Sequence, residues 1–241
     1  MQISVVIPAY KEAKNLNLLL PELERALQSY CLDNFEILVV DCNPTLDNTE
    51  DVVKQYSHAH YIIRQGGNTY GDAIRTGFAQ ARKDYVAVMD GDGSHRPDDL
   101  LNMLQHVEQY DIVIGSRYIS GGKTENPAIL IFLSYLVNFC YRLILGVPVH
   151  DISNSFRVYH RAQLAELNLV SSNFELVEEI LIKLLLHSKK RNVIEVPVSF
   201  GRRLYGESKR NLFLFACTYL LSIFQLLSLK RKLKNMVKIN E

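Results

Sequence analysis

Short apolar segments alternate with amphipathic ones along the first 120 residues, and this alternation restricts the chain to few folds. The apolar runs predict strands over residues 3–7, 35–40, 60–64, 85–89 and 112–114. Helical spacing of apolar side chains and helix-start signals predict helices over residues 16–30, 47–56, 70–81 and 97–107. Continuous apolar strands that alternate with helices indicate a parallel sheet covered on both faces. The sequence therefore predicts an α/β, doubly wound fold with a mostly parallel sheet and flanking helices.

The pattern changes beyond residue 120. Residues 128–141 are apolar and uncharged, although Asn138 interrupts them and Arg142 follows. Short strands are predicted over residues 156–159 and 193–200, a helix over 174–187 and a basic loop over 201–210. Residues 212–229 are 18 residues without a charge, and three basic residues follow at once.

The composition excludes several classes of protein. With 48% hydrophobic and 22% charged residues, the chain is neither disordered nor fibrous. The 27 Lys and Arg nearly balance the 26 Asp and Glu, so no overall excess of charge indicates a nucleic-acid partner. Residues 201–241, however, hold nine basic and two acidic residues, a net charge of +7. We expect this tail to face an anionic partner, such as phosphate or lipid headgroups.

The cysteines and the N-terminus indicate a reduced, cytosolic setting. Cys31, Cys42, Cys140 and Cys217 form no CxxC pair and lie at no zinc-finger spacing from a histidine. The N-terminal segment has no basic residue before a short apolar run, so we expect a first strand rather than a signal peptide.

Polar side chains follow several of the predicted strands. Right-handed crossovers bring the carboxyl ends of parallel strands to one edge of a sheet, where ligands bind. The residues expected to converge there are Tyr10, Glu12, Asp41, Asp90, Asp92, Ser116 and Arg117.

The strongest local signal is the pair Asp90 and Asp92, two residues apart after a buried strand. Carboxylate and phosphate oxygens suit Mg²⁺ or Mn²⁺, and the adjacent glycines allow a close approach of the backbone. The alternative is a solvated Asp-Gly turn. His95, close behind, is interpreted as a hydrogen-bonded turn residue rather than a ligand.

A set of cations could hold phosphate groups, since Arg offers a bidentate fork and Lys a point charge. These are Arg117, Arg157, Arg202, Arg203 and Lys209, and each taken singly could equally be a solvated surface charge. Glu178 and Glu179 are interpreted as part of a solvated helix face.

Together these residues resemble a family 2 glycosyltransferase, most closely the dolichyl-phosphate mannose synthase and polyprenyl-phosphate glycosyltransferase branch. The matching motifs stand in the family's order across residues 1–210. They begin with Val5-Val6-Ile7-Pro8-Ala9-Tyr10-Lys11-Glu12 (VVIPAYNE), Asp90-Gly91-Asp92-Gly93-Ser94-His95 (DADxSH) and Gly115-Ser116-Arg117-Tyr118 with Gly121-Gly122 (GSRYxxGG). They continue with Asp151-Ile152-Ser153-Asn154-Ser155-Phe156-Arg157 (DxTSGFR), Glu195-Val196-Pro197-Val198 (EVPI) and Arg203-Leu204-Tyr205-Gly206-Glu207-Ser208-Lys209 (RxYGESK).

The resemblance implies a GT-A fold, a nucleotide-sugar donor and a divalent cation. It implies a nucleoside pocket lined by Pro8, Tyr10, Glu12, Val39 and Asp41. It implies a diphosphate site formed by Asp90, Gly91, Asp92 and Ser94, with Mg²⁺ or Mn²⁺ held by Asp90, Asp92 and Ser94. Arg117, Arg203 and Lys209 would contact phosphates, Arg157 would receive the acceptor phosphate, and Asp92, Arg117 and Arg157 would carry the catalysis.

Two departures from the family pattern concern recognition. Cys42 stands where the family has a second Asp, and the loop after it is one residue longer, which leaves the donor's base and sugar open. Ser155 stands in place of a Gly in the loop implied to hold the acceptor.

The expected function is transfer of a hexosyl group, with GDP-mannose as the favoured donor, to a dolichyl or undecaprenyl phosphate. A polyprenyl phosphate is largely ionised at neutral pH, because its second pKa is about 6, so it needs no strong general base. The alternatives are a non-lipid surface-glycan acceptor and a catalytically silent sugar-nucleotide-binding subunit.

Membrane association is expected at two segments. Residues 1–210 would form the catalytic domain, with 128–145 as an interface helix or, alternatively, a buried core helix. Residues 211–241 would form an apolar helix with a basic tail. An 18-residue helix is about 27 Å long, slightly short of the roughly 30 Å hydrocarbon core, so 212–229 would lie on the membrane or barely span it. The expected location is the cytoplasmic face of a membrane, either peripheral or anchored by this one segment. The alternative is packing of 212–229 on the protein's own core or on a second subunit of a homo-oligomer.

Overall fold

The computed structural model describes residues 1–147, 149–187 and 192–206. A seven-stranded sheet forms its centre, with strand order β3-β2-β1-β4-β7-β5-β8. Its strands are β1 (Ile3–Pro8), β2 (Phe35–Asp41), β3 (Ala59–Ile63), β4 (Tyr85–Val88), β5 (Ile112–Ser116), β7 (Arg157–His160) and β8 (Val193–Pro197). A separate parallel pair is formed by β6 (Lys123–Thr124) and β9 (Ser199–Phe200).

Helices cover both faces of the sheet, as the alternating pattern predicts. They are α1 (Ala13–Cys31), α2 (Thr49–Val53), α3 (Tyr70–Gln80), α4 (Pro97–Leu104), α5 (Ala128–Leu145), α6 (Arg161–Ala165) and α7 (Leu176–His187). One core layer packs α1 and α4 against the sheet, and α1 contributes the fully buried Leu16, Leu20, Leu23 and Leu27. The opposite layer joins α3, α5 and α7 through Ile74, Tyr141 and Ile180. The predicted α/β fold with a mostly parallel central sheet is confirmed.

One strand runs against the others. β7 pairs antiparallel with β4 on one side and with β5 on the other, whereas the other described pairings of the large sheet are parallel. The sequence predicts a short strand here but not its insertion between β4 and β5. This insertion carries the start of β7 to the edge where β4 and β5 end.

Helix α5 has the bounds of the predicted helix over 128–145 and runs without a break through Asn138 and Arg142. Asn138 is buried, and the helix ends at Gly146, whose φ of +61° is a left-handed cap. Its exposed face carries Ile129, Phe132, Tyr135, Leu136, Phe139 and Leu143, each at least 45% exposed. This exposed apolar face excludes a wholly buried helix, whereas its contact with a membrane interface stays a prediction.

The chain offers no membrane-crossing helix within the described residues. The predicted helix over residues 212–229, its basic flanks and the whole segment 211–241 lie outside the described residues.

Candidate active site

The carboxyl edge of the sheet brings together most of the residues that the sequence singles out. Glu12 follows β1, Asp90 and Asp92 follow β4, and Arg117 follows β5. Arg203, distant in sequence, bridges to this edge by ion pairs with both Glu12 and Asp92. The expected convergence at one edge is therefore observed for Glu12, Asp90, Asp92 and Arg117, and Arg203 joins them through its ion pairs.

Asp92 is held in a tight turn by Ser94. Its Oδ1 accepts hydrogen bonds from the Ser94 backbone N–H at 3.0 Å and from the Ser94 hydroxyl at 2.6 Å. Gly93 makes the turn with φ of +83°, a conformation that favours glycine. Ser94 is buried, so its evident role is to orient Asp92, while its predicted role as a metal ligand stays a prediction.

Asp90 lies beside Asp92 and is approached from two sides. Its Oδ1 accepts a hydrogen bond from the Ser155 hydroxyl at 3.2 Å. Its backbone N–H donates to His95 Nδ1 at 3.0 Å, so a neutral His95 carries its proton on Nε2. The buried His95 ring stacks on Phe156 with centroids 4.4 Å apart. His95 is thus a hydrogen-bonded turn residue, as interpreted from the sequence.

Arg203 neutralises the acidic side of the site. Its Nη1 lies 3.4 Å from Asp92 Oδ2, its Nη2 donates to Glu12, and its Nε donates to the Tyr205 carbonyl at 2.8 Å. Burial raises the pKa of Glu12, while Asn15 and Arg203 oppose that rise. Asn15 also accepts from the Tyr205 N–H at 2.9 Å, which fixes the segment that carries Arg203 against α1.

The site fits a divalent cation bound together with a diphosphate. No group of three or more His, Cys, Asp or Glu side chains is arranged for a metal within the described residues. Asp90 and Asp92 are each about one-fifth exposed and offer oxygen ligands, which Mg²⁺ and Mn²⁺ prefer. A two-carboxylate site leaves the remaining coordination positions to phosphate oxygens and water. A Cβ atom added at Gly91 would lie 2.9 Å from a methyl group of Ile7, so any larger residue would force the turn to move away from β1.

Arg117 is fixed by the buried carboxylate of Asp151, a residue of one matching motif to which the sequence assigned no role. Its Nε and Nη2 donate to the two oxygens of Asp151 at 2.8 and 2.7 Å, and its backbone N–H donates to the same group. Its Nη2 also reaches the Ser153 hydroxyl at 3.2 Å. From α5, Asn138 donates to Asp151 at 3.5 Å and accepts from the Ser153 N–H at 3.0 Å. The loop before β7 thus links Arg117 to α5.

Arg157 does not lie where the resemblance implies. Its side chain is fully buried, and its guanidinium donates to the backbone carbonyls of Ile152, Asn154 and Val177. A guanidinium used in this way cannot receive an acceptor phosphate from solvent. The prediction for Arg157 is wrong for this conformation, and the residue instead holds the loop before β7 in place.

Glu178 and Glu179 are both fully buried, so the predicted solvated helix face is wrong. Glu178 lies near Arg157 without a hydrogen-bond partner for either oxygen among the described residues, and burial raises its pKa to about 8. Burial acts to raise the pKa of Glu179 too. Lys183 and the N–H groups of Val170 and Ser171 outweigh it, and the pKa is lowered.

The residues predicted to line a nucleoside pocket divide into two groups. Pro8 and Tyr10, at and just after the end of β1, are partly exposed, whereas Glu12, Val39 and Asp41 are buried. Asp41 accepts from the Tyr61 hydroxyl at 3.1 Å and from the Cys42 N–H at 2.8 Å, so its carboxylate closes the turn after β2.

Arg64 supports this side of the site, and no sequence signal indicated it. It donates to the carbonyls of Asn68 and Thr69 at 3.1 Å and to that of Ala9. It thereby ties the turn after β1 to the loop before α3. Arg202, whose Nε donates to the Glu125 carbonyl at 3.2 Å, lies outside the carboxylate cluster, and Lys209 lies outside the described residues.

Comparisons with known proteins show which proteins this chain resembles. The model of the family "Glycosyl transferase family 2" matches residues 4–167. The dolichol-phosphate mannosyltransferase of Pyrococcus furiosus is 32% identical over 250 residues, covering 100% of this chain and 68% of the relative. The polyprenol monophosphomannose synthase of Mycolicibacterium smegmatis is 32% identical, covering 85% of this chain and 79% of the relative. The undecaprenyl-phosphate mannosyltransferase of Micrococcus luteus is 30% identical, covering 87% of each.

Solved structures resemble the fold at lower sequence identity. Glucosyl-3-phosphoglycerate synthase from Mycobacterium tuberculosis, in complex with Mn²⁺, UDP and phosphoglyceric acid, superposes with a TM-score of 0.72. The identity is 18%, over 94% of this chain and 78% of that one. At this identity the likeness shows the fold alone.

Proposed function

Since this chain belongs to glycosyl transferase family 2, and within it to the polyprenyl-phosphate glycosyltransferase branch, we propose that it glycosylates a polyprenyl phosphate. The donor is a nucleoside-diphosphate hexose, with GDP-mannose favoured, because the three relatives described above are named for mannose transfer to dolichol, polyprenol or undecaprenyl phosphate. The observation that carries the proposal is a shared sheet edge, where Arg203 pairs with Asp92 and one loop contacts Asp90 through Ser155 and Arg117 through Asp151.

The reaction joins a phosphate oxygen of the acceptor to the anomeric carbon of the sugar. The bond from that carbon to the donor's diphosphate breaks, and the nucleoside diphosphate leaves with the electron pair. Because the attacking phosphate is already ionised, the protein must mainly gather anions and stabilise the leaving group. No Ser-His-Asp arrangement is needed for this chemistry.

The side chains divide this work. Asp90 and Asp92 would hold Mg²⁺ or Mn²⁺ on the donor diphosphate, with Ser94 orienting Asp92. The cation supplies charge neutralisation of the leaving diphosphate. Arg203 already lies against Asp92 and would contact the phosphates, together with Lys209. Arg117, whose side chain is 8% exposed and paired with Asp151, would receive a phosphate once its guanidinium turns outward on substrate binding.

Lipid access is proposed to run along α5. Its exposed Phe132, Phe139 and Leu143 form an apolar surface, while its buried Asn138 is bonded to the loop that holds Arg117. A helix that lies in the membrane interface would place the acceptor phosphate near that arginine. We assign residues 1–210 to catalysis and residues 211–241, with their net charge of +4, to binding the cytoplasmic surface of a membrane.

The function is tested by product mass. The purified full chain is incubated with Mg²⁺ or Mn²⁺, a short-chain polyprenyl phosphate and, separately, GDP-mannose, UDP-glucose or UDP-N-acetylglucosamine. The expected product is the polyprenyl phosphate plus one hexose, formed fastest from GDP-mannose. A parallel incubation replaces the lipid with a soluble glycan, and transfer to that glycan but not to the lipid would favour the surface-glycan alternative. Nucleotide binding without turnover of any donor would favour a silent binding subunit.

A further inference from the structure

The register of the central sheet brings Ser155 to the metal-binding edge. Arg157, the first residue of β7, pairs with Val88 on β4 and with Ile114 on β5. Because β7 runs antiparallel to both neighbours, the residues before Arg157 lie beside the residues that follow Val88. Ser155 is two residues before Arg157, and Asp90 is two residues after Val88.

The Ser155 hydroxyl donates to Asp90 Oδ1 at 3.2 Å and is shielded from solvent, with 8% of the residue exposed. The loop that carries it is firmly held. Asn154 donates to the Gly115 carbonyl at 2.7 Å, and the Arg157 guanidinium holds the Ile152 and Asn154 carbonyls. The hydroxyl therefore has a defined position relative to β4 and β5.

The other oxygen of Asp90 faces the buried ring of His95. The distance from Asp90 Oδ2 to His95 Nε2 is 3.9 Å, and this nitrogen has no hydrogen-bond partner among the described residues. His95 therefore does not hold the carboxylate by a hydrogen bond. Ser155 is the side chain whose hydrogen bond to the Asp90 carboxylate the structure records.

We propose that Ser155 is a positioning residue, whose hydroxyl orients the Asp90 carboxylate toward the divalent cation on the donor diphosphate. A carboxylate rotates about its Cβ–Cγ bond unless a neighbouring group holds it by a hydrogen bond. Groups that hydrogen-bond a ligating carboxylate in this way affect how tightly the site binds its metal ion. The resembling motif has glycine at this position, which offers no hydroxyl. The contact is thus a feature of this chain's own sequence.

This inference rests on the proposed function, in which Asp90 faces a metal ion. The test is a Mn²⁺ titration of the full chain, followed by electron paramagnetic resonance, with GDP or UDP as the bound nucleotide. Ser155→Ala should weaken Mn²⁺ binding about tenfold in the presence of nucleotide. Ser155→Thr, which keeps the hydroxyl, should stay within about threefold of the wild-type protein.

Ser153→Ala is the matched control. It removes a hydroxyl from the same loop, but the Ser153 hydroxyl contacts Arg117 and not Asp90. Its Mn²⁺ affinity should stay at the wild-type value. Thermal unfolding of the metal-free variants shows whether the loop is intact, and a Ser155→Ala midpoint close to that of the wild type is expected.

The outcomes separate this inference from the proposed function. If the wild type binds Mn²⁺ with nucleotide but Ser155→Ala binds it equally well, Ser155 does not position Asp90. The same conclusion follows if Ser155→Thr loses as much affinity as Ser155→Ala while both remain folded. If the wild type itself binds no Mn²⁺ with either nucleotide, the proposed metal site is wrong and this role falls with it.

Discussion

Glu178 is expected to make the protein less stable as the pH rises through neutrality. It lies fully buried on α7, and neither of its oxygens has a hydrogen-bond partner among the described residues. The nearby Arg157 lowers its pKa, but that guanidinium donates to backbone carbonyls rather than to Glu178. Burial is the larger influence, and it raises the pKa of Glu178 from 4.5 to about 8.

The sign and the size of the effect follow from this shift. Below pH 4.5 the carboxyl is protonated in the folded and unfolded states alike, so its full stabilising contribution is present. Between pH 4.5 and about 8 the unfolded chain ionises first, and the folded state loses stability by about 1.4 kcal/mol per pH unit. The total loss from this group is on the order of 5 kcal/mol.

Glu178→Gln removes the ionisation while keeping the shape of the side chain. The free energy of unfolding is measured by urea titration at pH 5, 6, 7 and 8, for the variant and for the wild type. The free energy of unfolding of the variant, relative to that of the wild type, should rise by about 3 kcal/mol or more between pH 5 and pH 8. Any fixed cost of the amide cancels, because only the change of the difference with pH is used. Glu22→Gln, at an exposed position of α1, is the control and should show a constant difference near zero.

An ionised pair would give the opposite behaviour. If Glu178 is charged and paired with Arg157, Glu178→Gln leaves a buried cation without its counter-ion and should destabilise by about 3–5 kcal/mol. The difference would then not change between pH 5 and 8. That result would refute the argument that burial outweighs the arginine.

Three further predictions concern the site and α5. Asp92→Asn removes the charge of the proposed metal ligand at nearly constant size and should lower the affinity for Mn²⁺ in the presence of nucleotide about a hundredfold. If the variant binds Mn²⁺ as tightly as the wild type does, Asp92 is not a ligand. Arg203→Lys keeps the charge but lacks the planar guanidinium that contacts Glu12 and Asp92 at once, so kcat should fall about tenfold. An unchanged kcat would mean that a positive charge alone is sufficient at this position. Phe132 and Phe139 are 62% and 45% exposed. The double variant Phe132→Asp with Phe139→Asp should lower the affinity for anionic vesicles, measured by flotation, roughly thirtyfold, because about 2 kcal/mol of apolar burial in the membrane is lost. Undiminished flotation would move the contact away from α5.

Much of the fold could be predicted because local patterning and tertiary structure agree. Strand β2 is buried throughout and apolar except at Glu36 and Asp41, a composition typical of a central parallel strand. Helix α1 repeats leucine at helical spacing and buries that stripe. The predicted strand over 193–200 is instead divided between β8 and β9, which belong to different sheets. That division depends on pairing with β6, a contact that periodicity does not contain.

The candidate site was predictable where a residue's position after a strand defines its role. Asp90, Asp92 and Arg117 follow strands that point to one edge, so topology alone brings them together. The errors fall on charged residues whose surroundings come from distant segments. Arg157 and Glu178 look like surface charges in sequence, yet β7 and α7 bury them together. Asp151 and Arg64 serve neighbouring residues and backbone carbonyls, and no local spacing indicates such partners.

The antiparallel strand β7 explains how one loop serves both halves of the proposed reaction. If β7 were parallel to its neighbours, it would begin at the opposite edge of the sheet, and the segment before it would lie far from the carboxyl ends of β4 and β5. β7 instead begins at the edge, between the ends of β4 and β5, so its preceding loop contacts both at once. Ser155 bonds Asp90 on the β4 side, while Asp151 bonds Arg117 on the β5 side. The buried Arg157 ties that loop to the start of α7 through the Val177 carbonyl. A substitution that loosens Arg157 should therefore disturb metal affinity and the orientation of Arg117 together, although the Arg157 guanidinium is fully buried against backbone carbonyls.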